Sequence, residues 1–113
     1  MIAKTHRLSK KDFEAVWQTG QKFQNELFFV KFSFSRPVAG FAFVVPKTVT
    51  NRAVRRNKIR RLGYDILHHF LVNRPKLPSA IFVTKKNAGA ATDQEIKSAV
   101  SNILLKLAEK TVG

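Results

Sequence analysis

Seven Lys/Arg and no acid fall within the fifteen residues Lys47 to Arg61. Guanidinium forks match phosphate oxygens two bonds at a time, and an amide such as Asn57 both donates and accepts beside them. The chemistry that such a run supports is recognition of a polyanion. Spacing predicts how it is displayed. Thr50 and Asn51 are N-cap residue types, and good helix formers follow them. Ile59, Leu62, Ile66 and Phe70 recur at i, i+3, i+7 and i+11, one apolar stripe of a helix. Arg56, Asn57, Arg60, Arg61 and Tyr64 fall on a broadly opposite sector at about 100° per residue. The pattern predicts one helix over about 51–72, docked by its later turns and presenting cations from its earlier ones. A solvated basic face is the plain alternative, but the first acid at helical spacing from these cations is Asp65.

Bond-breaking chemistry finds less support. A protein nuclease needs acids gathered around metal ions, or a His pair for acid–base work. The seven acids are Asp12, Glu14, Glu26, Asp65, Asp93, Glu95 and Glu109. Asp12 and Glu14 lie two apart on a helix, on different sides. Asp93 and Glu95 open a helix, where capping and the helix dipole account for them. His68 and His69 are adjacent, whereas a helical metal pair prefers i, i+4. There is no Ser/His/Asp set and no Gly-rich phosphate loop after a strand. Phe13 and Trp17 share one helical face, which fits plain core packing or a stacking platform for single-stranded nucleotides.

The elements that must position these residues follow in order. Residues 1–8 read as a mobile basic arm. Ser9 through Asp12 resembles a capping box ahead of Phe13, Val16 and Trp17, with Gly20 as the stop. A short strand is expected at Gln21–Gln24. From Leu27 to Ser35, Phe28, Val30, Phe32 and Phe34 point one way, and Phe29, Lys31, Ser33 and Ser35 the other. Residues Arg36 to Gly40 form a turn, Phe41 to Val45 a more fully apolar strand, and Pro46 ends it. After the basic helix, Asn73 to Ser79 is a proline-bearing connector. Ala80 to Thr84 is a strand, and Asn87 to Ala91 a flexible loop. Thr92 and Glu95 form a full capping box before Ile96, Val100, Ile103, Leu104 and Leu107, an amphipathic helix. The order α-β-β-β-α-β-α implies an α+β domain, a small sheet with helices on one face.

Composition bounds the rest. The 113 residues suit one domain, and 44% hydrophobic residues with ten Phe argue against disorder. A formal charge of +14 repels the chain from itself and calls for a polyanion, nucleic acid before an anionic membrane. The longest nearly apolar run, Val38 to Pro46, is far short of the ~20 residues of a membrane helix. The N-terminus lacks the apolar core of a secretory signal, and no Cys occurs. A soluble, cytoplasmic protein fits these features.

Ala53-Val54-Arg55-Arg56-Asn57-Lys58-Ile59-Arg60-Arg61, preceded by Pro46-Lys47, resembles the Arg-Asn-Arg signature of the bacterial ribonuclease P protein component. Lys58 stands where that family usually has a second Arg, and Gly63-Tyr64 replaces a more helix-favouring, Arg-containing continuation. The resemblance runs from about Leu8 through the last helix, with residues 46–61 its specific part. It implies a two-layer α/β sandwich in which a four-stranded mixed sheet is packed by three helices. That arrangement is similar to the second domain of a small-subunit ribosomal protein, with a left-handed crossover through the basic helix. It implies one RNA-binding domain over 1–113 that assists a catalytic RNA in trimming the 5′ leader from precursor tRNA. Lys47, Arg52, Arg55, Arg56, Asn57, Lys58, Arg60 and Arg61 would meet the RNA subunit. Phe13, Trp17 and Lys31 would hold the leader, Lys31 standing where relatives often carry another aromatic. The RNA would hold the catalytic Mg²⁺, and neither a protein partner nor a membrane is required. A free-standing, ribosomal-type RNA-binding protein would use the same basic helix. A basic amphipathic binder of membrane surfaces fits less well, because the apolar stripe is needed for the core.

With its acids dispersed, the RNA-free protein is expected to leave precursor tRNA uncut at any Mg²⁺ concentration. A clean 5′ cut by nuclease-treated protein on a gel would contradict this.

Overall fold

Alternation along the chain decides which side of each strand is buried, and thereby where the helices rest. The computed structural model describes residues 7–34, 40–73 and 77–111. Its elements are α1 (Lys10–Thr19), β1 (Gln21–Gln24), β2 (Phe28–Ser33), β3 (Phe41–Val44), α2 (Ala53–Asn73), β4 (Ser79–Thr84), a 3₁₀ helix (Lys86–Ala90) and α3 (Asp93–Thr111). The strands form one mixed sheet in the order β1-β2-β4-β3. β1 runs antiparallel to β2 and β2 to β4, while β3 and β4 are parallel and joined through α2. This is the expected order of elements, and the short strand at Gln21–Gln24 is present.

Phe28, Val30 and Phe32 of β2, Phe41 and Phe43 of β3 and Phe82 of β4 point into the main core. There they meet Ile59, Leu62 and Leu67 of α2 and the whole expected stripe of α3, from Ile96 to Leu107, all buried. The capping box of α3 is closed in both directions. Thr92 N–H donates to Glu95 Oε1 at 2.8 Å, and Glu95 N–H donates to Thr92 Oγ1 at 3.1 Å.

The helices do not all lie on one face, as the pattern of elements suggested. α1 rests on the other side of the sheet, where Trp17 meets Phe29 and Lys31 reaches the Trp17 carbonyl. Val16 and Ile81 are both buried but stand outside the main core. The two main layers, sheet and α2/α3 pair, thus carry α1 as a partial third layer. The reason is compositional: Phe29, Ile81 and Val83 put apolar side chains on the second face too, and they need partial cover.

Local expectations shift in three places. Arg7 and Leu8, the last residues of the expected arm, are held at the sheet edge: Arg7 forms a parallel bridge with Phe41, and Leu8 N–H donates to its carbonyl at 3.1 Å. Residues 1–6 of that arm, 35–39 around the turn and 74–76 of the connector lie outside the described residues. The expected flexible loop at Asn87–Ala91 is mostly 3₁₀ helix, with Ala88 buried. A Cβ on Gly89 would lie 2.3 Å from the Val49 carbonyl oxygen, so this turn packs directly on the backbone leading into α2. Finally, α2 begins at Ala53, with Thr50 Oγ1 accepting from Arg52 N–H at 3.3 Å instead of capping the first turn itself.

Tyr64 also leaves the sector to which spacing assigned it. Its ring packs edge-on against Phe43 at 4.9 Å, and Gly63 beside it is buried under the same ring. A Cβ at Gly63 would stand 2.5 Å from Phe43 Cε1, and Phe43 is itself stacked on Phe82 at 4.5 Å. Gly63→Ala would gain about 1 kcal/mol of helix propensity. Forcing the ring aside is expected to cost about 1–3 kcal/mol. The second effect is expected to win, lowering the thermal unfolding midpoint by several degrees; an unchanged or raised midpoint would show that Phe43 yields freely.

Candidate nucleic-acid interface

The basic segment is displayed at the start of α2. Lys47, Arg52, Asn57 and Arg61 are exposed, and Arg55, Arg56, Lys58 and Arg60 are partly exposed. On the far side of the same helix Ile59 is fully buried and Leu62 and Leu67 nearly so or fully. Helical period therefore separates cations from core within two turns.

The cations are not equivalent. Arg56 donates from Nη1 to the Thr50 carbonyl at 3.0 Å, a neutral acceptor that holds the side chain but leaves its charge uncompensated. Arg60 donates from Nη2 to Asn57 Oδ1, a side-chain contact within the first turns of α2. Arg55 differs. Its Nη1 donates to Asp93 Oδ1 at 2.8 Å and its Nη2 to the Ala91 carbonyl at 2.8 Å. Lys58 Nζ lies 3.5 Å from Asp93 Oδ2. The Arg55 hydrogen bond, aided by the charge of Lys58, holds the Asp93 carboxyl below the usual carboxylate range. Spacing within α2 could not disclose this acid, because it arrives from α3.

A second surface lies across the sheet. The rings of Phe13 and Trp17 are nearly parallel, 8° apart in tilt with centroids 6.2 Å apart. Trp17 meets Phe29 edge-on at 6.2 Å and remains 38% exposed. Lys31 Nζ donates to the Trp17 carbonyl at 2.6 Å and sits 4.9 Å from the centroid of the Trp17 ring. The three residues expected to hold a strand of nucleic acid are thus brought together. Phe29 joins them and was not singled out from sequence. Its signal was present: a Phe on the strand face otherwise occupied by Lys31 and Ser33.

Flat aromatic faces beside an ammonium suit unpaired bases and the phosphates between them. Among the described residues no three His, Asp or Glu side chains gather as metal ligands, and the exposed rings of His68 and His69 are 6.1 Å apart. No helix of the described residues is long and apolar enough to cross a membrane.

The arrangement has close structural parallels. The RNase P protein of Staphylococcus aureus superposes with a TM-score of 0.75 at 22% identity, covering 94% of this chain and 97% of that one. A mutant of the S. aureus protein with defective mRNA degradation activity gives 0.77 at 24% identity, over 94% and 90%. The RNase P protein of Thermotoga maritima gives 0.75 at 24% identity, over 88% and 96%. At such identities the likeness is one of fold. No curated protein matches the chain. The family model for ribonuclease P matches residues 2–108, nearly the whole length. The chain belongs to the ribonuclease P protein family, the protein subunit of the ribonuclease that acts in tRNA processing.

Proposed function

We propose that this subunit binds the catalytic RNA of ribonuclease P through the first turns of α2 and steers the 5′ leader of precursor tRNA along the α1–β2 aromatic surface. The observation that carries this reading is the two-sided helix: solvent-facing Asn57 and Arg61, continued ahead of the helix by exposed Lys47 and Arg52, opposite a buried Ile59–Leu62–Leu67 side. Arg52, Arg56, Lys58, Arg60 and Arg61, with Lys47, neutralise phosphates of the RNA near the cleavage region. Fixed cations there stand in for mobile ones, which lowers the Mg²⁺ requirement. Mg²⁺, held by the RNA and not by this chain, would supply the hydrolytic chemistry at the leader junction. The protein contributes no catalytic side chain. Phe13 and Trp17 stack leader bases, and Lys31, whose hydrogen bond to a neutral carbonyl leaves its charge intact, faces a leader phosphate. Precursor is thereby bound more tightly than mature tRNA, which has no leader. The subunit works in the cytoplasm, where tRNA is matured.

Capture of one structured RNA by the tagged protein from its own cells, and its loss on removal of the α2 charges, tests the assembly half of this reading. With these six cations each meeting a phosphate, the log–log salt slope of RNA affinity should approach about −5. A slope near zero would return α2 to a merely solvated face.

The leader half is tested at Trp17. A fully buried Trp truncated to Ala costs about 3–5 kcal/mol of stability. Partly exposed Trp17 is expected to cost clearly less. In the holoenzyme, Trp17→Ala should weaken precursor binding by about 1–3 kcal/mol and leave mature tRNA affinity nearly unchanged. Equal loss for both RNAs would remove Trp17 from the leader path.

A further inference from the structure

The N-termini of α2 and α3 meet at an open recess of about 310 Å³ lined by Arg52, Val54, Arg55, Lys58 and Asp93. Each helix end contributes roughly half a positive charge to it. Three cationic side chains add to that, and Asp93 is the one carboxylate in the lining. It is the first residue of α3, fixed there by the closed Thr92–Glu95 capping box. Arg55 spends both terminal nitrogens on the entry to α3, one on Asp93 and one on the Ala91 carbonyl.

We infer that Asp93 is a built-in counter-ion that withdraws Arg55 from the RNA-contacting set and makes it the residue that positions the basic end of α2 against α3. The inference rests on the reading of α2 as the RNA-binding element. An exposed ion pair of this kind adds little to stability. Its effect lies in the charge that α2 offers. A cation already paired displaces no counter-ion from RNA, and so adds nothing to the salt dependence of binding. A phosphate that sought Arg55 would have to displace a carboxylate tethered beside it at high effective concentration. Lys58, 3.5 Å from the same carboxylate, is shared between Asp93 and solvent. Arg52, Arg56, Arg60 and Arg61, none of which is paired with Asp93, retain full charge toward the RNA.

The test is the salt dependence of binding between the full-length protein and ribonuclease P RNA, titrated over a series of KCl concentrations. Arg61→Gln sets the scale and should flatten the log–log slope by about 0.9. Asp93→Asn should steepen it by about the same amount and tighten binding at low salt, because it releases Arg55 and Lys58. The double variant Arg55→Gln/Asp93→Asn removes the pair without changing net charge and should not flatten the slope. Flattening of the double variant by as much as Arg61→Gln overturns the inference, as does an Asp93→Asn slope equal to that of the unaltered protein. If Arg61→Gln also leaves the slope unchanged, the reading of α2 itself fails and takes this inference with it. Thermal unfolding without RNA reports whether each variant folds, and Asp93→Asn decides alone if the double variant does not.

Discussion

The contact on which the molecule depends most is the seat of α2 on β3, where Gly63 lies against the ring of Phe43. Phe43 is stacked on Phe82 of the central strand β4 and faced edge-on by Tyr64. Without a side chain at 63, the helix backbone approaches the sheet closely enough for Ile59, Leu62 and Leu67 to reach the core. That approach fixes the rotation of α2 about its own axis. With rotation fixed, the cations one to two turns earlier have no freedom to turn inward. A hydrophobic contact thus determines the direction in which a highly charged helix end points.

The second organising fact is that the sheet is covered unequally. α2 and α3 seal one face with large aliphatic side chains. α1, ten residues long, covers only part of the other. What it leaves beside itself is partly exposed and apolar, with Phe29 as its aromatic part and Lys31 alongside. A strand with Phe28, Val30 and Phe32 inward and Phe29 outward can serve both faces, but only the inward set is sealed. The aromatic surface beside α1 is therefore a by-product of incomplete cover as much as a set of dedicated residues.

Much of this was legible from sequence, for physical reasons that differ by element. α3 was the clearest because its signals agree: a reciprocal capping box, then five buried positions at helical spacing. β2 was nearly as clear, since a period of two cannot be mistaken where every second residue is Phe or Val. The basic helix was found to within two residues at its start and one at its end. What escaped was tertiary. Leu67 fell outside the stripe named from spacing because a long helix packed against both a strand and another helix buries more than one narrow line. Tyr64 was placed with the cations by angle alone, yet an aromatic ring next to a glycine can lean back to the sheet. The partnership of Arg55 with Asp93 spans 38 residues, and no pattern local to α2 carries it. The placement of α1 on the opposite face needed the second-face side chains of β2 and β4 to be weighed together, which the order of elements does not do.

The rung that Arg7 and Leu8 add beside Phe41 has its own consequence. β3 is the outer strand of the sheet on its side, and it is short and rich in Phe. An uncovered strand of that kind invites another chain to pair with it, and apolar side chains would favour the union. Here the chain's own beginning occupies the Phe41 carbonyl, and the Arg7 guanidinium lies 5.1 Å from the centroid of the Tyr64 ring. The opposite border, β1, is guarded differently, by its brevity and by Lys22 among polar neighbours. Both borders are thereby made less open to sheet extension, one by a rung at the Phe41 end of β3 and the other by a short, polar strand.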